Sequence, residues 1–95
     1  MKFYKNKKTK YHPSLELSSN DKTWRNMAVT HHPIKKRRYI ELHDSINPND
    51  KGKSYVDKHI RNDPIQTRGQ LLKKYRLTER DLKLIEEFLN RNKKS

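Results

Sequence analysis

Apolar residues along this chain fall into short alternating runs through the first two thirds and take up helical spacing at the end. Behind Pro13, Leu15 and Leu17 flank Glu16, the period-two pattern of a half-buried strand. Ser19-Asn20-Asp21-Lys22 is a cluster of turn formers. Thr23 to Thr30 alternates again, with Met27 and Val29 on one face and Trp24 and Ala28 on the other. The pair reads as a hairpin, ended by His31-His32-Pro33. Tyr39 to Leu42 turns Ile40 and Leu42 to one side. Residues 45–53 hold Asn, Pro, Asp and Gly with little apolar content and read as a loop. Ser54 to Ile60 is a fourth strand with Val56 and Ile60 on one face. Asp63-Pro64 closes it, because a residue before proline avoids the helical region.

The period then changes. Thr67-Arg68-Gly69-Gln70 fits a Thr-x-x-Gln capping box ahead of Leu71, Leu72 and Tyr75, which predicts a first helix. Thr78 begins a second: its side chain is placed to accept at the helix N-terminus, with Asp81 as a shortened partner. Leu77 and Leu82 stand at the positions of a hydrophobic staple. Leu82, Ile85, Phe88 and Leu89 form one apolar stripe over about residues 79–92, with Leu82, Ile85 and Leu89 as the expected buried anchors. Strands first and helices last is an α+β order. The expected architecture is a small SH3-like barrel or curled antiparallel sheet capped by a C-terminal amphipathic helix.

Charge changes the picture most. The 95 residues carry 24 Lys and Arg against 11 Asp and Glu, a net charge of +13. A surplus so dense repels itself unless a polyanion neutralises it, and nucleic acid is the expected partner. Only 29% of residues are hydrophobic, so the core must be thin. Residues 1–10 carry five lysines and read as a flexible basic arm, leaving 11–95 as one domain. There is no cysteine, which removes disulfides and thiolate metal sites and suits a reducing, cytoplasmic setting. No run is apolar enough for a membrane span, and two glycines make no phosphate loop. No cofactor or metal is expected; His31 and His32 are adjacent and on a strand point to opposite faces.

The densest basic run, Lys35-Lys36-Arg37-Arg38, lies between two strands and is the expected phosphate contact. Arg25 and Arg61 are further cationic candidates, and Trp24, Tyr39 and Tyr55 are rings on which bases can stack. His12, Thr30, His31 and His32 are of the types that cleave RNA without metal. That reaction needs a base for the 2′-hydroxyl proton, an acid for the leaving oxygen and donors for the phosphorane charge.

Several local words recur in one order: Tyr11-His12-Pro13-Ser14-Leu15-Glu16-Leu17, Met27-Ala28-Val29-Thr30-His31, Tyr39-Ile40-Glu41-Leu42, Ser54-Tyr55-Val56 with His59-Ile60-Arg61, and Leu77-Thr78-Glu79-Arg80-Asp81-Leu82. Over roughly residues 11–92 this series resembles the MazF/PemK family of endoribonuclease toxins. The resemblance implies an SH3-like barrel, an RNA-facing groove, a homodimer and an acidic antitoxin protein as partner. It maps His12, Thr30 and His31 onto the catalytic positions. Here His12 stands where the family has an arginine and His31 where it has a serine, and the family's glycine-bearing loop is absent. Arg25, Arg37, Arg38 or Arg61 would then supply the missing guanidinium. Two alternatives carry no catalysis. Residues 67–92 read as a helix-turn-helix for duplex DNA, with Arg80, Lys83, Glu87 and Arg91 exposed. A structural or ribosome-associated RNA binder would need no catalytic residue at all.

Overall fold

The computed structural model describes residues 1–92. Six antiparallel strands form one sheet: β1 (Phe3–Asn6), β2 (His12–Ser19), β3 (Thr23–Thr30), β4 (Tyr39–Glu41), β5 (Tyr55–Pro64) and β6 (Arg68–Leu71). One helix, α1 (Glu79–Asn92), follows. The spatial order is β4-β5-β3-β2-β1-β6. The fold is therefore α+β, as the order of elements predicts; the last residues of the expected domain, 93–95, lie outside the described ones.

Register explains how so few apolar residues make a core. Phe3 pairs with Leu15, Leu15 with Met27, Met27 with Ile60, Val29 with Val56, and Val56 with Ile40. Paired residues share a face, so every strand of this series delivers its apolar side to one surface. Leu42, Ile46 and the fully buried Ile85 of α1 complete the cluster. Leu89, Phe88 and Leu84 pack around it half-buried. Leu82 is half-buried too and lines a groove with Phe3, Leu72 and Leu77. Of the three expected anchors, Ile85 alone is fully buried.

Two expectations fail for local reasons. Residues 1–10 are not a flexible arm. Phe3–Asn6 is a strand between β2 and β6, with Phe3 and Asn6 buried. Burying one Phe contributes roughly 1.5–3 kcal/mol, and ladders to β2 and β6 add to it, while the charged heads of the lysines stay in water. Likewise 68–71 is a strand, not the start of a helix, and Thr67 ends a short 3-10 turn. Gly69 is the reason. A Cβ there would lie 2.9 Å from the Lys5 carbonyl oxygen, so only glycine lets β6 approach β1 this closely. With one helix among the described residues of 67–92, the helix-turn-helix alternative falls.

Register shifts in the β1–β6, β2–β3 and β3–β5 ladders mark bulges, which bend strands and raise their twist. The segments that follow the two edge strands meet: Arg76 N–H donates to the Ile46 carbonyl at 2.9 Å, and Asn47 Nδ2 donates to Tyr75 Oη at 3.4 Å. The first turn of α1 is bolted to the same region. Thr78 Oγ1 donates to Asp44 instead of capping its own helix. Buried Asp81 accepts from the backbone N–H groups of His43 and Asp44 at 2.8 and 3.0 Å instead of closing a capping box. Hydrogen bonds from Arg80 and Thr78 hold the Asp44 carboxyl well below the usual range.

Candidate nucleic-acid interface

The face of the sheet away from α1 is mostly polar, because most residues that alternate with the core series are polar; Tyr4, Trp24 and Ala28 are among the exceptions. Its inner part is a closed hydrogen-bond cluster. Asn6 Nδ2 donates to Ser14 Oγ and Asn26 Oδ1 at 3.2 Å, with Asp63 Oδ2 at 3.4 Å. Asn26 Nδ2 donates to Asp63 Oδ2 at 3.0 Å, and Arg61 Nε donates to the same oxygen at 3.0 Å. Asn6, Ser14 and Asn26 have no exposed surface. Burial alone pushes the Asp63 carboxyl up, yet the donors from Arg61, Asn26 and Asn6 outweigh it and hold the group below its ordinary value. Arg61 is thus committed to Asp63.

Further along the same face, a cleft of about 210 Å³ opens where β2 begins and β3 ends. Its walls include His12, Thr30, His32, Arg37, Tyr39 and Asp57. These residues come from five parts of the chain. Lys10 and Tyr11, both at positive φ, lead into His12 at the start of β2. Thr30 closes β3, and its hydroxyl oxygen accepts from His32 N–H at 3.0 Å, which leaves the hydroxyl proton to donate elsewhere. Tyr39 accepts from Ile34 N–H at 3.2 Å and meets Tyr55 edge-on, ring centroids 6.4 Å apart. Asp57 is buried; its Oδ1 accepts from His59 N–H and its Oδ2 from Arg37 Nη1, both at 2.9 Å. The Arg37 side chain is 56% exposed, so Asp57 positions a guanidinium that still faces water.

The expected site residues divide. His12, Thr30 and Arg37 come together in the cleft. His31 does not: its Nδ1 lies 2.8 Å from the Lys53 carbonyl and its Nε2 3.4 Å from Asp50, on the side of the 45–53 loop. His32, one residue on and pointing the other way, takes its place. Lys35, Lys36 and Arg38 are exposed on the loop beside the cleft and, among the described residues, form no ion pair. Arg25 sits with Leu17, Ile60 and Lys83 in a groove under α1, away from the cleft. Trp24 offers no stacking face, because it is fully buried, edge-on to Tyr4, and its Nε1 donates to Thr67 Oγ1 at 2.9 Å. Tyr39 is the ring in the cleft. Sequence reading passed over Asp57, although its alternation with Val56 places it on the polar face opposite the core.

Among the described residues no three His, Asp or Glu side chains cluster to hold a metal ion, and no helix is long and apolar enough to cross a membrane. No family model, curated protein or solved structure matches the chain.

Proposed function

We propose that this protein binds single-stranded RNA on the sheet face away from α1, with a phosphate seated in the His12–Thr30–Arg37 cleft. The observation that carries the reading is the convergence of a hydroxyl, two imidazoles, a guanidinium and a tyrosine ring in one cleft flanked by Lys35, Lys36 and Arg38. Phosphate contacts supply affinity, and a ring beside them accepts a base of any sequence. A single strand can lay both groups on so small a surface, whereas the helix pair of a helix-turn-helix duplex reader is absent from the described residues, where 68–71 is a strand. An SH3-like barrel of the MazF/PemK type is the finer form of this fold that we infer; the bulged ladders and the Arg76–Ile46 contact between the edges support it. A homodimer and an acidic antitoxin competing for the basic face belong to the same proposal.

The test is binding of a labelled oligoribonucleotide across a salt series. The log–log slope is expected to be about −0.7 per phosphate contact. Replacing Lys35, Lys36, Arg37 and Arg38 by Gln should weaken binding to every sequence and flatten that slope. An unchanged slope would refute the assignment.

The paired imidazoles favour a second reading, cleavage of the bound strand. One of His12 and His32 takes the 2′-hydroxyl proton as the 2′-oxygen attacks phosphorus, and the other protonates the departing 5′-oxygen. Arg37 and the Thr30 hydroxyl stabilise the phosphorane charge. The products are a 2′,3′-cyclic phosphate and a free 5′-hydroxyl. Cleavage should persist in EDTA and vanish in His12→Ala while binding survives. A protein that binds but never cuts leaves the RNA-binding reading and removes this one.

A further inference from the structure

Arg37 and Asp57 line a second cavity as well as the first. This groove, about 620 Å³, runs from the Arg37–Asp57 pair toward the end of α1. Its volume falls within the ~300–1,000 Å³ typical of small-molecule sites. Arg38, Lys58, His59 and Phe88 form its walls. Lys58 N–H donates to the Arg38 carbonyl at 2.9 Å, which fixes the basic loop against β5. Phe88 lies one helical turn beyond Ile85, half-buried, with Lys58 Nζ 6.0 Å from its ring centroid. Ring and cations therefore share one open groove, and among the described residues the only carboxylate on its wall, Asp57, is already neutralised by Arg37.

We infer that this groove is a second nucleotide subsite on the same strand, reached where the strand leaves the face away from α1 at Arg37 and turns toward the helix. Phe88 is the platform for a base, Arg38 and Lys58 hold the adjoining phosphate, and Arg37 at the junction bridges the two subsites. The chemistry selects a nucleotide over a simple anion, because a phosphate alone would leave the Phe88 ring unused. It selects a single strand because the base must be unstacked to reach that ring. The inference rests on the RNA-binding reading and extends it to a defined second position on the ligand.

The experiment is fluorescence anisotropy of the whole protein with a fluorescein-labelled octauridylate over a salt series. Four proteins are compared: wild type, Phe88→Leu, Arg38→Gln with Lys58→Gln, and Arg37→Gln. Leucine keeps apolar bulk against the core while removing the ring, and thermal melts confirm that each variant is folded. Phe88→Leu should weaken binding roughly tenfold with the salt slope unchanged. The Arg38/Lys58 double variant should flatten the slope by about 1.4. If wild type binds and Arg37→Gln weakens it, but Phe88→Leu or the double variant behaves as wild type, the second subsite is overturned while the first stands. If wild type does not bind at low salt, the RNA reading falls and the subsite with it.

Discussion

Removing the Asp63 carboxylate should destabilise the protein severely, although the residue is no part of the apolar cluster. In Asp63→Ala the Asn26 Nδ2 group loses its 3.0 Å acceptor at a position with no exposed surface. Its remaining neighbour, the Trp24 carbonyl, is 3.5 Å away, at the limit of a hydrogen bond. An orphaned buried donor costs about 1–3 kcal/mol. Asn6 loses less, because Ser14 and Asn26 still accept from it. Arg61 loses both its bonds, but its side chain is 27% exposed and water replaces part of them. The sum is about 3 kcal/mol, a large share of the 5–15 kcal/mol that holds a domain together. For a chain of this size that lowers the melting temperature by roughly 12–24 °C. Circular-dichroism melts at neutral pH read it directly. Asp63→Asn keeps the shape and one acceptor oxygen, and should fall between the two. Acid provides a second check. The folded Asp63 carboxyl lies below its ordinary value, so its contribution is present above the unfolded value of about 3.9 and is lost as pH falls through the folded one. The gap between wild type and Asp63→Asn should therefore narrow below about pH 4. A stability loss in Asp63→Ala under about 0.5 kcal/mol, the range of an ordinary surface change, would refute the reasoning. So would a gap to Asp63→Asn that acid leaves unaltered.

Three further outcomes are expected. Ile85→Ala should cost about 2–5 kcal/mol in urea unfolding, and Leu82→Ala markedly less, because Ile85 alone of the two is fully buried. Gly69→Ala should cost about 1–3 kcal/mol, as its new methyl meets the Lys5 carbonyl backbone and pushes β6 from β1; an unchanged melt would show that the strands yield. Lys35→Gln with Lys36→Gln should leave the melting temperature unchanged and flatten the salt slope of RNA binding by about 1.4, since both side chains stand free in solvent.

Alternation marks β2, β3, β4 and most of β5 because apolar residues fill one face of each while the other face is mostly polar, even where residues such as Ser14, Asn26 and Asp57 are buried there. The terminal helix is visible for the same reason, at its own period. What composition hides is β1. Its five surrounding lysines outweigh one Phe in any window average, yet the fold uses the Phe. Gly69 misleads in the opposite sense. Thr67 and Gln70 have capping identities, but the strand's approach to β1 decides the segment, and that is a tertiary fact. In the candidate site, His12, Thr30 and Arg37 could be named from residue type and position. His32 stands beside His31 as a candidate, but which of the two enters the cleft, and that Asp57 holds Arg37 there, depends on which strand end meets which loop. Trp24 was misplaced for a simpler reason. An indole on the polar face looks exposed until Thr67, far along the chain, proves to be its partner.

The pairing of β1 with both β2 and β6 also governs how the molecule can be assembled. As the chain is synthesised, the β1–β2 hairpin can close early, but the other edge of β1 stays open until β6 has emerged. Ile85, which seals the apolar surface, comes later still. Through most of its synthesis, then, this strongly basic chain holds an unfinished sheet with a bare strand edge and an uncovered apolar side. Such a species is prone to pair with a second copy of itself. Its own positive charge is the safeguard: copies with the same large charge repel one another until the last element closes the fold.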